Sequence, residues 1–249
     1  MKKRALSLLM AFVMALSLLP ATARAADVQE ITDADGLAAI ANDPSGSYVL
    51  KNDIGSESKP VTKAIAGTFT GTFDGAGHTV WLKIEKSTVY TGLFQKLEGG
   101  ATVKNLQLKG SVNHTGSKAD TGALAGWVNS YAGDILIENC SADVTVSGYS
   151  KVGGLLGEVL GTQNSVTVRS CANFGTVTGR NNGIGGIIGN NGNTNCTVSA
   201  CYNRGDITGY TYVGGIVGQC ANKATIEDVY STGNTTATTP YTASKGDIY

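Results

Sequence analysis

The stretch Val152-Gly153-Gly154-Leu155-Leu156-Gly157 decides the fold, because it returns as Ile184-Gly185-Gly186-Ile187-Ile188-Gly189 and as Val213-Gly214-Gly215-Ile216-Val217-Gly218. A degenerate earlier copy reads Thr121-Gly122-Ala123-Leu124-Ala125-Gly126, and the four closing glycines are spaced by 31, 32 and 29 residues. A unit that repeats at this period buries its apolar face only by stacking on its neighbours. Each copy runs on into a β-alternating stretch that ends in a shared column: Ile135 to Cys140, Val166 to Cys171, Cys196 to Cys201, and Ile226 to Tyr230. A third short strand follows as Val144-Thr145-Val146-Ser147-Gly148, Thr176-Val177-Thr178-Gly179 and Asp206-Ile207-Thr208-Gly209. Three strands per repeat, separated by Gly and Asn turns, predict one coil of a parallel β-helix. An earlier coil with the same grammar runs from Thr91-Gly92-Leu93-Phe94 through Val103-Lys104-Asn105-Leu106 to Gly110.

The glycines Gly153, Gly154, Gly157, Gly185, Gly186, Gly189, Gly214, Gly215 and Gly218 are read as structural. Coil corners demand φ values that side chains resist, and neighbouring coils lie only about 4.8 Å apart. Their companions Leu155, Ile187 and Ile216 are expected to point inward and stack. Packing is the favoured reading over a phosphate-binding one, since a phosphate loop is one glycine turn running into a helix and here the motif repeats with a strand after every copy.

Ahead of the coils, Thr32-Asp33-Ala34-Asp35 reads as a capping box opening a short helix with Leu37, Ile40 and Ala41 on one face, stopped by Asp43-Pro44. Such a helix would cover the open end of the coil stack. Asp33-Ala34-Asp35-Gly36 is only a faint calcium-loop pattern, whose remaining ligands are missing. The chain thus divides into a signal peptide at 1–25, an amino-terminal cap at 26–60, the β-helix at 61–236 and a tail or truncated further coil at 237–249. The signal reading rests on Lys2-Lys3-Arg4, the apolar run from Ala5 to Leu19, and Ala23-Arg24-Ala25. That run is too short to span a membrane, so a soluble exported chain beginning near Ala26 is expected, with no stable span after cleavage.

The precursor carries 19 basic and 19 acidic residues, and removing Lys2, Lys3, Arg4 and Arg24 leaves 15 against 19. The resulting net charge of about minus four provides no basic stripe for nucleic acid. Gly is abundant at 34 residues and Pro scarce at 4, which argues against a helical protein and against a disordered linker.

Five cysteines, Cys140, Cys171, Cys196, Cys201 and Cys220, form no Cys-x-x-Cys pair, and His78 and His114 are the only histidines, so the sequence offers no zinc or cofactor set. Cys140, Cys171 and Cys201 fall on successive coils and are expected to form a buried stack of thiols rather than disulfides. Cys196 is read as plain core and Cys220 as the most exposed thiol. Two residues before the shared column stand Lys104, Glu138, Arg169, Ser199 and Asp228, expected as solvated cross-strand charge pairs. His78 lies in the tight Asp74-Gly75-Ala76-Gly77-His78 turn and is read as a turn residue rather than a general base.

The glycine lines, with Asn139-Cys140, Cys201-Tyr202-Asn203 and Val177-Thr178-Gly179, resemble the GLUG repeat, and Gly71-Thr72-Phe73-Asp74-Gly75-Ala76-Gly77-His78-Thr79-Val80 resembles the coil that precedes such repeats. The likeness runs from about residue 31 to 236. It implies an all-β, right-handed parallel β-helix of about five to six coils in an exported bacterial surface protein, and it carries no catalytic residues across. The expected role is therefore a non-catalytic scaffold for adhesion, display or ligand binding, with a surface glycan or protein as partner. The alternative is a polysaccharide lyase or glycoside hydrolase of parallel β-helix type, which would need carboxylates gathered in one groove.

Overall fold

The computed structural model describes residues 27–86, 90–117, 120–220 and 224–239. The expected signal peptide at 1–25 and most of the tail lie outside the described residues. All described sheet pairings are parallel, and the chain winds as a β-solenoid of about six turns. Each full coil visits four sheets, as one coil illustrates: Asp120–Gly122, Ala125–Asn129, Ile135–Glu138 and Ser141–Gly148 lie in the first, second, third and fourth sheet in turn. The expected count of three strands fails because the glycine line is itself two strands, Val152–Gly153 and Leu156–Leu160, with a bend at Gly154 and Leu155. The bend turns Leu155 into the core, and Leu124, Ile187 and Ile216 repeat the placement, each nearly or fully buried.

The repeats stack in the register their spelling demands. Val152 pairs with Thr121 and Ile184, Gly153 with Gly122 and Gly185, and Leu156 with Ala125 and Ile188. One copy departs from expectation. Cys196 pairs with Ala224 and Val198 with Ile226, so Ile226 to Tyr230 is not the last column set. Tyr230 faces Tyr202, which places Val229 in the column of Cys201 and Asp228 at the corner beside it. The connection from glycine line to third sheet shortens in the later coils, which moves the first apolar residue without disturbing the spacing within the strand.

Residues 27–60 add two further rungs ahead of the coils. Val28–Ile31 pairs with Ser47–Leu50, which pairs with Thr72–Asp74, so the third sheet begins ahead of the coils. Helix α1, Ala34–Ala39, lies between these strands and packs against Ile65–Phe69. Asp33 caps it, its carboxylate accepting from Gly36 N at 2.8 Å, and Leu37 and Ile40 are buried while Ala41 is half-buried. Below α1 the core is aromatic, Phe69 and Phe73 meeting Phe94 at 5.0 and 5.5 Å between ring centroids. Among the described residues no helix is long and apolar enough to cross a membrane.

The corner from third to fourth sheet uses one left-handed residue per coil: Asn105, Asn139, Ser170, Ala200 and Asp228, with φ between 49° and 54°. Asparagine tolerates this region, and here its amides bond from coil to coil: Asn139 Nδ2 donates to Asn105 Oδ1 at 2.8 Å, and Asn105 Nδ2 to Asp74 Oδ1 at 3.0 Å. Ala200 has a Cβ in the same region and no side-chain bond to offset it. The Ala200→Gly variant should therefore be more stable by about 0.5 to 1 kcal/mol, net of the entropy glycine adds to the unfolded chain, in urea unfolding.

Candidate functional site

The motif glycines sit at close backbone contacts, as do Gly175, Gly205 and Gly233 outside the motif. A Cβ on Gly154 would overlap the Gly186 carbonyl and come within 2.5 Å of Asn173 Cγ, and one on Gly186 would meet the Gly215 carbonyl and Asn203 Cγ in the same way. Added carbons on Gly153, Gly185 and Gly214 would strike the carbonyls of Leu156, Ile188 and Val217, while Gly157, Gly189 and Gly218 lie against the preceding coil. None of these nine glycines has a positive φ. Close approach alone, and not corner geometry, therefore requires glycine here; the corners fall to other residues.

The asparagines behind these glycines are buried. Asn173 Nδ2 donates to the Gly175 carbonyl and to Asn203 Oδ1, both at 2.8 Å, and Asn203 repeats the pattern toward the Gly205 carbonyl at 2.8 Å and Ser231 Oγ at 3.0 Å. This internal ladder explains why Cys-x-Asn follows the glycine lines at 152–157 and 184–189. The cysteines beside it, Cys140, Cys171 and Cys201, are buried free thiols, each donating to the carbonyl two residues earlier at 3.2 to 3.3 Å. Contact with Cys140, with burial, holds the Cys171 thiol well above its ordinary value, and contact with Cys171 does the same for Cys201. Burial pushes Cys196 up to about 12. Such thiols hold their protons and are poor nucleophiles. Cys220 is half-buried at the end of its strand and receives Asn191 Nδ2 at 3.5 Å.

In the charge column, Glu138 pairs with Arg169 at 2.7 Å, while Lys104, its neighbour on the other side, reaches Asp74 at 3.3 Å. Ser199 faces Glu227, so Asp228 does not belong to this column. His78 lies 3.3 Å from Asp53 in its turn. His114 points inward, its Nδ1 3.0 Å from Thr91 Oγ1; burial, with Arg180 nearby, holds its pKa below the ordinary value.

A different set of polar residues gathers across the outer angle between the first and second sheets. The residue after each closing glycine forms one column, Trp127, Glu158, Asn190 and Gln219, extended upstream by Lys96. The residue before each line forms the facing column, Tyr90, Asp120, Lys151, Gly183 and Tyr212. Asp120, Glu158 and Asn190 are only 8%, 7% and 7% exposed, an unusual burial for two carboxylates. Lys151 Nζ lies 2.7 Å from Glu158 Oε1 and 3.9 Å from Asp120 Oδ1, and Asn190 Nδ2 donates to the same Glu158 Oε1 at 3.0 Å. Upstream, Tyr90 and Trp127 stand 5.4 Å apart, with the Lys96 ammonium over both rings at 5.3 and 5.5 Å.

Two carboxyls in contact cannot both ionise cheaply. Burial, and then Glu158, push Asp120 up to about 8. Lys151 lies nearer to Glu158 than to Asp120, and Asp120 is the carboxyl that holds its proton. Burial alone would pull Lys151 down, but the Glu158 hydrogen bond and the Asp120 charge leave it raised.

Read along the chain, Asp120, Lys151, Glu158 and Asn190 are not singled out as a set. The signal was present: each is the residue next to a glycine line, and alignment of the lines stacks them.

A parallel β-solenoid of glycine-lined coils is the class this architecture defines. Residues 209–237 match the GLUG motif, and the glycine lines at 152–157 and 184–189 follow the same pattern as the one at 213–218 just inside that match. Residues 27–148 match the M26 IgA1-specific metallo-endopeptidase N-terminal region. Halomucin from Haloquadratum walsbyi is 35% identical over 126 residues, 49% of this chain and 1% of halomucin, so the chain spans a very small share of that relative's length. A solved structure assigned as an immunoglobulin A1 protease from Bacteroides ovatus superposes with a TM-score of 0.54 at 18% identity, covering 87% of this chain and 81% of that one. At that identity the likeness is one of fold.

Proposed function

We propose that this chain is an exported, non-catalytic β-solenoid module of a bacterial surface protein, a stiff spacer that presents its outer faces to surface glycans or proteins. The observation that carries the reading is the coil-to-coil register of the glycine lines, whose glycine, cysteine and asparagine columns all serve packing. The signal-like residues 1–25 and the matches to a protease amino-terminal region and to a small part of halomucin support an accessory place in a larger extracellular protein.

The enzyme reading would have to draw on Asp120 and Glu158. Glycoside hydrolysis sets its two carboxyls roughly 5 Å or more apart, with the sugar between them. These two instead converge on one ammonium, Lys151, at 3.9 and 2.7 Å, and both are more than nine-tenths buried, so no sugar ring reaches between them. Peptide cleavage of the zinc type needs paired histidines near one another in sequence, whereas His78 and His114 stand far apart on different coils.

The test expresses the full chain with its own amino terminus in a bacterial host and follows its location and activity. The expected result is protein in the medium or on the cell surface, beginning near Ala26, that cleaves neither immunoglobulin A1 nor acidic or neutral polysaccharides. Retention in the cytoplasm would sink the export half. Turnover lost in Glu158→Gln would sink the non-catalytic half.

A further inference from the structure

We propose that Lys151 and Asn190 join in an intramolecular isopeptide bond, formed autocatalytically with Glu158 as the proton carrier, which staples two neighbouring coils. Three observations carry this. The amine of Lys151 and the amide of Asn190 meet on a single oxygen, Glu158 Oε1, at 2.7 and 3.0 Å. Glu158 and Asn190 are register partners on adjacent coils and more than nine-tenths buried, so the acid and the amide are held by strand pairing and screened from water. Lys151 sits at the left-handed corner shared by its column, with Gly183 and Tyr212 at φ 74° and 51° on the next coils, and that corner sets its side chain facing the column of Glu158 and Asn190.

The chemistry balances without a co-reactant. Glu158 takes a proton from the Lys151 ammonium, and the freed Nζ attacks Cγ of Asn190. The Nζ–Cγ bond forms, the Cγ–Nδ2 bond breaks, and the amide nitrogen leaves as ammonium. Of the three protons on the lysine ammonium, one stays on the new amide and two depart with the leaving nitrogen, both relayed through Glu158. Proximity of this quality replaces a bimolecular aminolysis by an intramolecular one. The ion pair favours the charged amine, but a reaction that occurs once per molecule needs only a small neutral fraction. Asp120, on the preceding coil, lies 3.9 Å from Lys151 Nζ and is a positioning residue that gives up no proton in the step. Tyr90 and Trp127 close the upstream side.

Mass spectrometry of the full chain, denatured and peptide-mapped, decides the matter. The expected result is a branched peptide that unites the Lys151 and Asn190 segments and is lighter than their sum by one ammonia. K151R and E158Q should each abolish it, with circular dichroism and cooperative unfolding used to check that the solenoid has formed. Separate Lys151 and Asn190 peptides from the folded wild-type chain would overturn the proposal even if neither variant folds. A branched peptide lighter by one water, joined through Asp120, would overturn the choice of Asn190. Full cross-linking in E158Q would overturn the role of Glu158.

Discussion

Gly154→Ala is expected to destabilise the solenoid by about 3 kcal/mol or more, and its urea unfolding midpoint should fall accordingly. The added Cβ has no room to yield into. It would overlap the Gly186 carbonyl of the next coil and crowd the Asn173 amide, and both are fixed, the first by the coil stack and the second by bonds at 2.8 Å to Gly175 and Asn203. Backbone at that spacing moves only if two coils separate, which breaks the ladder on either side. Gly192→Ala is the contrast. Its Cβ would come closest to the tip of the Leu160 side chain, at 2.9 Å, and should cost less than about 1 kcal/mol because a flexible tip turns aside. A double variant separates the two obstacles to Gly154→Ala. If removing the Asn173 side chain as well restored stability, the amide and not the neighbouring carbonyl would be the true constraint.

The same contrast explains how far the sequence could be read. Fold and coil boundaries were legible because the constraint is one-dimensional: a glycine wherever two backbones nearly touch must recur once per turn, as Gly154, Gly186 and Gly215 do. The bend inside each line was less visible, since Gly153 and Leu156 fit one extended strand by pattern, and only the inward turn of Leu155 separates them. The last coil was misaligned for a related reason. Apolar spelling fixes which residues face inward but not where a shortened connection delivers them, so Ile226 was matched to Cys196 when it pairs with Val198. The polar groove was missed because its members share no residue type. Tyr90, Asp120, Lys151 and Gly183 form a column by position alone, and chemistry enters only when a facing column brings Glu158 and Asn190 across from them.

Asp120→Asn should stabilise the protein, by an amount that grows as the pH rises from about 4 to about 8. Folding raises the Asp120 carboxyl from 3.8 to about 8, chiefly by burial and then by Glu158. A group raised in the folded state binds its proton there while the unfolded chain releases it. Its contribution is therefore fully present below the unfolded value and is lost as the pH climbs toward the folded one. In the wild type, stability should fall across that window and level off above it. Asparagine keeps the shape and can donate an N–H to Glu158 where the shared proton lay, so the variant should show no such slope from this site. The gain at pH 8 and above is expected to be a few kcal/mol. An amide between Lys151 and Asn190 would leave the sign unchanged, because it removes a positive charge that lowers the Asp120 value. Urea unfolding of both proteins at several pH values checks this. Parallel stability curves, with the same offset at pH 4 as at pH 9, would show that Asp120 is ionised throughout and that the groove does not hold a shared proton.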